Sequence, residues 1–386
     1  MRTAMLRALA AALIALQLGW CLAASEVRSA ELLVWPPAPA APRIEFIREF
    51  SSAEGLGISR SFLQRIADLV FGAADTQVKK PMAVVARGGI IHVADPGAGG
   101  VHRFDTRRGR YTLVKGPRGR PLPSPVGLAL DARGAVYVTD SVLGRVLMIA
   151  PDAKEATPLT LGVAVKQPTG IVIAGDGRMY VVDTAAHRID IFAGTGELLG
   201  TLGQRGTGQG EFNFPTHIAL APDGRLYVND ALNFRIQVFA PDGQFVRSFG
   251  RQGDAAGDAA RQKGVAVDRY GHIYVLDALL HALQVFDDAG RLLLPLGARG
   301  HQPGEFWLPL DSSSIARMAT RSTSRTRSTI ACRCCATSVA RTDAKRRPQH
   351  LREHGPGARA RGVPGGHRDE QAQSRGHRTG NRQGGD

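Results

Sequence analysis

Between residues 78 and 309 the apolar positions come in short bursts of four to six, rich in Val, Ile and Tyr, split by polar stretches that carry glycine. Bursts of that length and make-up predict strands; helical units of similar size would show a 3.6-residue period and few glycines. The bursts also repeat. Gly264-Val265-Ala266-Val267 leads to Gly271-His272-Ile273-Tyr274-Val275-Leu276-Asp277, as Ile218-Ala219-Leu220 leads to Asp223-Gly224-Arg225-Leu226-Tyr227-Val228-Asn229-Asp230. Earlier copies end Tyr180-Val181-Val182-Asp183, Tyr137-Val138-Thr139-Asp140 and His92-Val93-Ala94-Asp95. The closing aspartates therefore step by 45, 43, 47 and 47 residues.

Each unit predicts four strands. Asp176-Gly177 and Asp223-Gly224 are hairpin turns, because glycine accepts the positive φ such turns require. A third strand follows the aspartate, as in Arg188-Ile189-Asp190-Ile191-Phe192 and Arg235-Ile236-Gln237-Val238-Phe239. A further turn at Pro241-Asp242-Gly243 leads to the outer strand Phe245-Val246-Arg247-Ser248-Phe249. Four short strands per repeat of this length predict an all-β fold, a β-propeller of four-stranded blades. The run from Asp223 to Phe239, with Asn233 and Arg235, resembles an NHL repeat, and the resemblance covers about residues 78–309. It implies a ring of blades around a central channel. It fixes no activity, because that family includes scaffolds, sensor domains, RNA binders and a few lyases.

The recurrent charged residues are Asp95, Asp140, Asp183, Asp230 and Asp277. Asp140/Arg145, Asp183/Arg188 and Asp230/Arg235 share a five-residue spacing, while Asp277 is followed there by Ala282. A ring of ligand contacts would give this pattern. An Asp that caps loop N–H groups, with Arg bonding back across the hairpin, gives it too, and recurrence in each blade favours that structural role. His217 stands where other blades have Gly127, Gly170 and Gly264, at the start of the innermost strand, which places it near the channel mouth. It is the best metal candidate, but no sister blade supplies a second histidine there and a site needs about three protein ligands. No cofactor and no catalytic set is expected; spacing supports neither a Ser-His-Asp arrangement nor a carboxylate pair.

Charge changes the picture less than its total suggests. The formal net charge is +15, yet residues 311–386 hold 16 Lys+Arg against 6 Asp+Glu, a net of +10. The body lacks the dense basic surface that phosphate binding needs, which argues against a nucleic-acid partner.

Arg2 and Arg7, the apolar run Ala8–Gly19 and the Cys21-Leu22-Ala23 cleavage site read as an export signal over residues 1–23. The expected location is periplasmic or secreted. Lipid attachment at Cys21 is the alternative, although bulky Trp20 suits a lipobox poorly. No later segment is apolar enough to span a bilayer. The remaining cysteines, Cys332, Cys334 and Cys335, fit neither a CxxC pair nor a zinc finger, and none lies between residues 22 and 331.

Residues 24–77 carry a stiff Pro-rich linker from Trp35, an alternating strand over Ile44–Phe50 and a short amphipathic helix over Ser61–Phe71. Ile44–Phe50 is the candidate for a strand that closes the ring through the last blade. The propeller is assigned to residues 78–311.

Residues 312–386 form a basic, low-complexity tail without periodicity, whose composition predicts disorder. Just before it, Gly304-Glu305-Phe306-Trp307-Leu308-Pro309 echoes Gly210-Glu211-Phe212-Asn213-Phe214-Pro215, 94 residues earlier. An inner strand should follow and does not. Joining the third base of each codon to the first two of the next, Arg321 through Cys334 permits Ile-Tyr-Val-Ala-Asp-Ser-Phe-Asn-His-Arg-Val-Gln-Val. That is the repeat phrase at the expected place. A sixth blade out of frame therefore explains the tail, with five blades legible and six ancestral.

The expected function is a non-catalytic extracytoplasmic module that presents one face of the ring to a protein or small ligand. The alternative is a metal-dependent propeller lyase or lactonase working in the channel.

Overall fold

Each legible repeat closes into one antiparallel sheet of four strands taken in chain order. This is seen in a computed structural model that describes residues 34–36, 44–45, 49–59, 75–300, 305–306 and 331–332. The first blade is Ala83–Arg87, Ile90–Asp95, Gly100–Asp105 and Arg110–Val114; the second is Pro125–Leu130, Val136–Asp140, Arg145–Ile149 and Thr157–Pro158. The third is Pro168–Ile173, Met179–Asp183, Arg188–Phe192 and Leu198–Leu202. The fourth is Pro215–Leu220, Leu226–Asp230, Arg235–Phe239 and Phe245–Phe249, and the fifth is Gln262–Val267, Ile273–Asp277, Ala282–Phe286 and Leu292–Leu296. The first hairpin of blades three and four turns at Gly177 (φ 89°) and Gly224 (φ 87°), where an L side chain would be strained.

Strand alternation sends successive side chains to opposite neighbours. In the fourth blade Leu226 and Val228 pack with Val172 and Tyr180 of the third. Tyr227, between them in sequence, packs with Val275 and Phe286 of the fifth. The core is therefore a series of apolar layers between blades, and each fully buried Leu, Val or aromatic side chain contributes about 1.5–3 kcal/mol. The innermost strands pack side by side from the first blade through the fifth. Among the described residues no comparable packing joins the fifth back to the first.

The N-terminal segment occupies that junction. Ile44, with Trp35 against it, packs on Tyr274, Leu276 and Leu283 of the fifth blade. Phe50, Ala53, Leu56 and Ile58 pack on Val84, Ile91 and Phe104 of the first. Of the closing strand expected over residues 44–50, Ile44–Glu45 and Glu49–Phe50 are strand, and residues 46–48 lie outside the described residues. Ile44–Glu45 pairs antiparallel with Val34–Trp35, so Trp35, the start of the expected linker, is part of a two-stranded sheet. Glu49–Phe50 pairs in parallel with Ala331–Cys332, the one stretch of the tail among the described residues. Ile44 and Phe50 thus serve different blades.

The repeat register persists to its last legible turn. Phe212, Ala259 and Phe306 each bridge the residue seven positions before them, and each N–H donates over 2.8 Å to the carbonyl one residue earlier still. The expected signal, the helix over Ser61–Phe71 and all but two residues of the tail lie outside the described residues. No helix among the described residues is long and apolar enough to cross a membrane.

Candidate functional site

The five repeat aspartates are fully buried at one end of their blades, and their carboxylates are filled by N–H groups. Asp183 accepts from the backbone of Lys166 (2.7 Å), Gln167 (3.1 Å) and Ala186 (3.2 Å). Asp140 accepts from Ser124, Val142 and Leu143, and Asp277 from Ala260, Arg261, Leu279 and Leu280. Each of these joins the strand that enters the blade to the loop that leaves it. Asp95 does the same through Lys79, Lys80 and Ala98. Burial raises its pKa, but bonds from His102 and from the Lys79 and Lys80 N–H groups outweigh that and hold the carboxyl below its ordinary value.

The arginines of the repeat do not share one role. Arg235 donates through Nε to Asp230 (2.9 Å), which also receives Asn233 Nδ2 (2.8 Å) and Gln237 Nε2 (3.0 Å). Arg188 instead pairs with Asp190 (2.7 Å), and Arg145 is exposed. The five-residue spacing sets Asp and Arg opposite each other in the ladder, but the guanidinium is free to turn to a nearer carboxylate.

Around the channel the inner strands run close together. A Cβ built on Gly127 would press on the carbonyl oxygen of Thr169, and one on Gly170 would meet His217 Cα at 2.9 Å. At the same place in the fourth blade His217 hydrogen-bonds through Nδ1 with Thr216 Oγ1 (3.0 Å). Desolvation and the neighbouring Lys263 push its pKa down to about 3, so the imidazole is neutral. Lys263, half-buried on the next inner strand, is itself lowered by burial and by Arg261. Among the described residues no group of three His, Cys, Asp or Glu side chains comes together at metal-binding distance.

Sequence reasoning missed what the loops present. Two residues past the buried aspartate stand Val142, Ala185, Leu232 and Leu279, and the last pair and Val142 are 52, 53 and 70% exposed. Leu143 and Phe214 stand out beside them, the Phe214 ring 4.4 Å from that of His187. The first blade has Gly97 at this step. The signal was present: a lone Val or Leu between turn residues, at one fixed step in three repeats. The same end also carries exposed Lys80, Arg145, Lys166 and Arg261, without an ion-pair partner among the described residues. At the opposite end a cavity of about 480 Å³ lies between the first hairpins of the third and fourth blades, walled by Ala174, Leu220, Pro222 and Pro241.

No protein-family model matches the chain, and no curated protein does. Among solved structures it is similar to a virginiamycin B lyase from Staphylococcus aureus (16% identity over 61% of this chain and 74% of that one, TM-score 0.47). It is also similar to a chain of a nidogen/laminin complex (19%, 61% and 85%, TM-score 0.47). A third is a gluconolactonase from Xanthomonas campestris (19%, 57% and 74%, TM-score 0.43). These neighbours are β-propellers, and they include enzymes and a binding propeller.

Proposed function

We propose that the chain is a non-catalytic, exported propeller of NHL-like repeats that binds a partner through its loop face. The observation that carries this reading is the recurrence of exposed Val142, Leu232 and Leu279 at one repeat step. The Asp140 and Asp277 carboxylates accept N–H groups of those loops, and the Leu232 N–H donates to the Asn213 carbonyl, so the apolar tips are not needed to shape them. Binding residues concentrate on loops that a rigid scaffold holds in place, which sets these tips apart from Leu199, Val246 and Leu293, also exposed but on outer strands. A photo-crosslinking residue placed at position 232 or 279 should give adducts in the native compartment, whereas one at 199 or 293, on outer strands, should not. Equal yields from both pairs would overturn the reading. Export is tested by fractionation, with the mature chain expected outside the cytoplasm and beginning near Ala24.

A further inference from the structure

We propose that the loop face rests on an anionic lipid bilayer; this names the partner class for the binding face above and depends on that reading. Three observations support it. Val142, Leu232 and Leu279 occupy one register of a repeating unit, so the ring holds them at one level, and a flat partner meets them together. The tips sit on separate loops instead of merging into one patch. A protein interface usually buries a continuous centre, whereas the headgroup region accepts separated apolar tips between cations.

The third observation is charge. The body's net charge is small, so what counts is the sign of the groups beside the tips. The repeat carboxylates on this face are fully buried and filled by N–H donors. Lys80, Arg145, Lys166 and Arg261 remain exposed there, which suits anionic headgroups. In the loops that cross between blades, Glu211 is tied to the Gly208 N–H and Asp258 to Arg251, leaving Asp254 as an exposed carboxylate. At the opposite end some arginines pair with exposed aspartates, as in Asp176–Arg178 and Asp223–Arg225, and Arg107, Arg133 and Lys154 are exposed without an ion pair among the described residues, but that end lacks the row of apolar tips.

The test uses the full chain with vesicles of phosphatidylglycerol and phosphatidylcholine, against phosphatidylcholine alone. Residues 311–386 carry +10 and can attract anionic vesicles by themselves, so the decisive readouts are at the tips and at high salt. Salt screens the tail but leaves apolar insertion in place. Relative to the parent chain, Leu279→Trp should show blue-shifted, brighter emission on anionic vesicles, and Leu199→Trp should not. The variant Val142→Ser/Leu232→Ser/Leu279→Ser should lose about tenfold or more of the high-salt partition. An unshifted Leu279→Trp, or equal partition by the triple variant, overturns the lipid inference. If crosslinks still concentrate at positions 232 and 279 on a soluble protein, the binding face stands and only the lipid fails. If crosslinks show no preference for the tips either, both fail.

Discussion

The two ends of the ring use the same residue for opposite purposes. At the turn end an aspartate serves its own hairpin: Asp176 accepts from the N–H of Arg178, two residues on, and pairs with its guanidinium at 2.7 Å in solvent. At the loop end Asp183 is buried and ties down Lys166 and Gln167, 17 and 16 residues away. The turn end keeps such a pair in solvent. The loop end buries its repeat aspartates, and beside the apolar tips it shows Lys80, Arg145, Lys166 and Arg261 along with exposed Asp75 and Asp254. The comparison teaches that one residue type can serve a local turn or a long-range tie, depending on whether its carboxylate is exposed or buried.

The largest expected effect comes from completing the ring. Restoring the shifted frame past Pro309 should supply a sixth sheet between the fifth and first blades, and it should raise stability by several kcal/mol through new apolar layers. It also extends the loop face, because the permitted phrase Asp-Ser-Phe-Asn puts Phe two residues past its aspartate. Thermal unfolding and limited proteolysis of both chains measure the first effect, and vesicle partition the second. If restoration changes neither, the tail is not a displaced blade.

Next in size is the contrast between the two aspartates. Asp183→Ala leaves three part-buried N–H donors without their acceptor and should cost about 2–3 kcal/mol. Asp176→Ala removes an exposed pair and a turn bond, and should cost about 0.5–1 kcal/mol. Urea unfolding separates them. Similar losses would mean that the buried carboxylates are not what holds the blades' loops.

Most of the fold was legible because a repeat states its period several times over. Asp-Gly turns, alternating strands and the buried aspartates all recur, so one blurred copy is corrected by its neighbours. Residues 44–50 occur once, and their apolar positions did not reveal that Ile44 serves one blade and Phe50 another. The arginine pairings were not legible for a different reason. Spacing fixes where a guanidinium starts, whereas its partner depends on local carboxylates such as Asp190. The exposed tips escaped because an apolar residue in a strand-rich sequence reads as core until its burial is known.

A pH titration gives a smaller, graded effect that sharpens the contrast. Burial first, and the charge of Arg103 second, push His92 down to about 3 from its ordinary 6.5. A histidine with a lowered folded pKa binds fewer protons folded than unfolded. Its stabilising neutrality is complete above pH 6.5 and is lost as the pH falls towards 3, at up to about 1.4 kcal/mol per pH unit. His217, near the loop end, shifts the same way. Asp176, held below 3.8 by the N–H and guanidinium of Arg178, loses its contribution only below that value. Destabilisation from neutral pH down to about pH 4 should therefore come from the buried imidazoles, and His92→Leu should flatten that slope. An unchanged slope would assign the acid sensitivity elsewhere.

The smallest effect expected is also the one that decides whether the loop face is a surface or a piece of core. Leu232→Ser and Leu279→Ser should leave the unfolding midpoint within about 0.5 kcal/mol of the parent, singly or together. Both side chains are about half exposed. The backbone they sit on is fixed from below, by Asp230 through Asn213 N–H and Asn233, and by Asp277 through the Leu279 and Leu280 N–H groups. A hydroxyl at the tip gives up little buried area and leaves none of those bonds unmade. A loss well beyond that range would show that the tips brace their loops, and the two ends of the ring would then differ in charge alone.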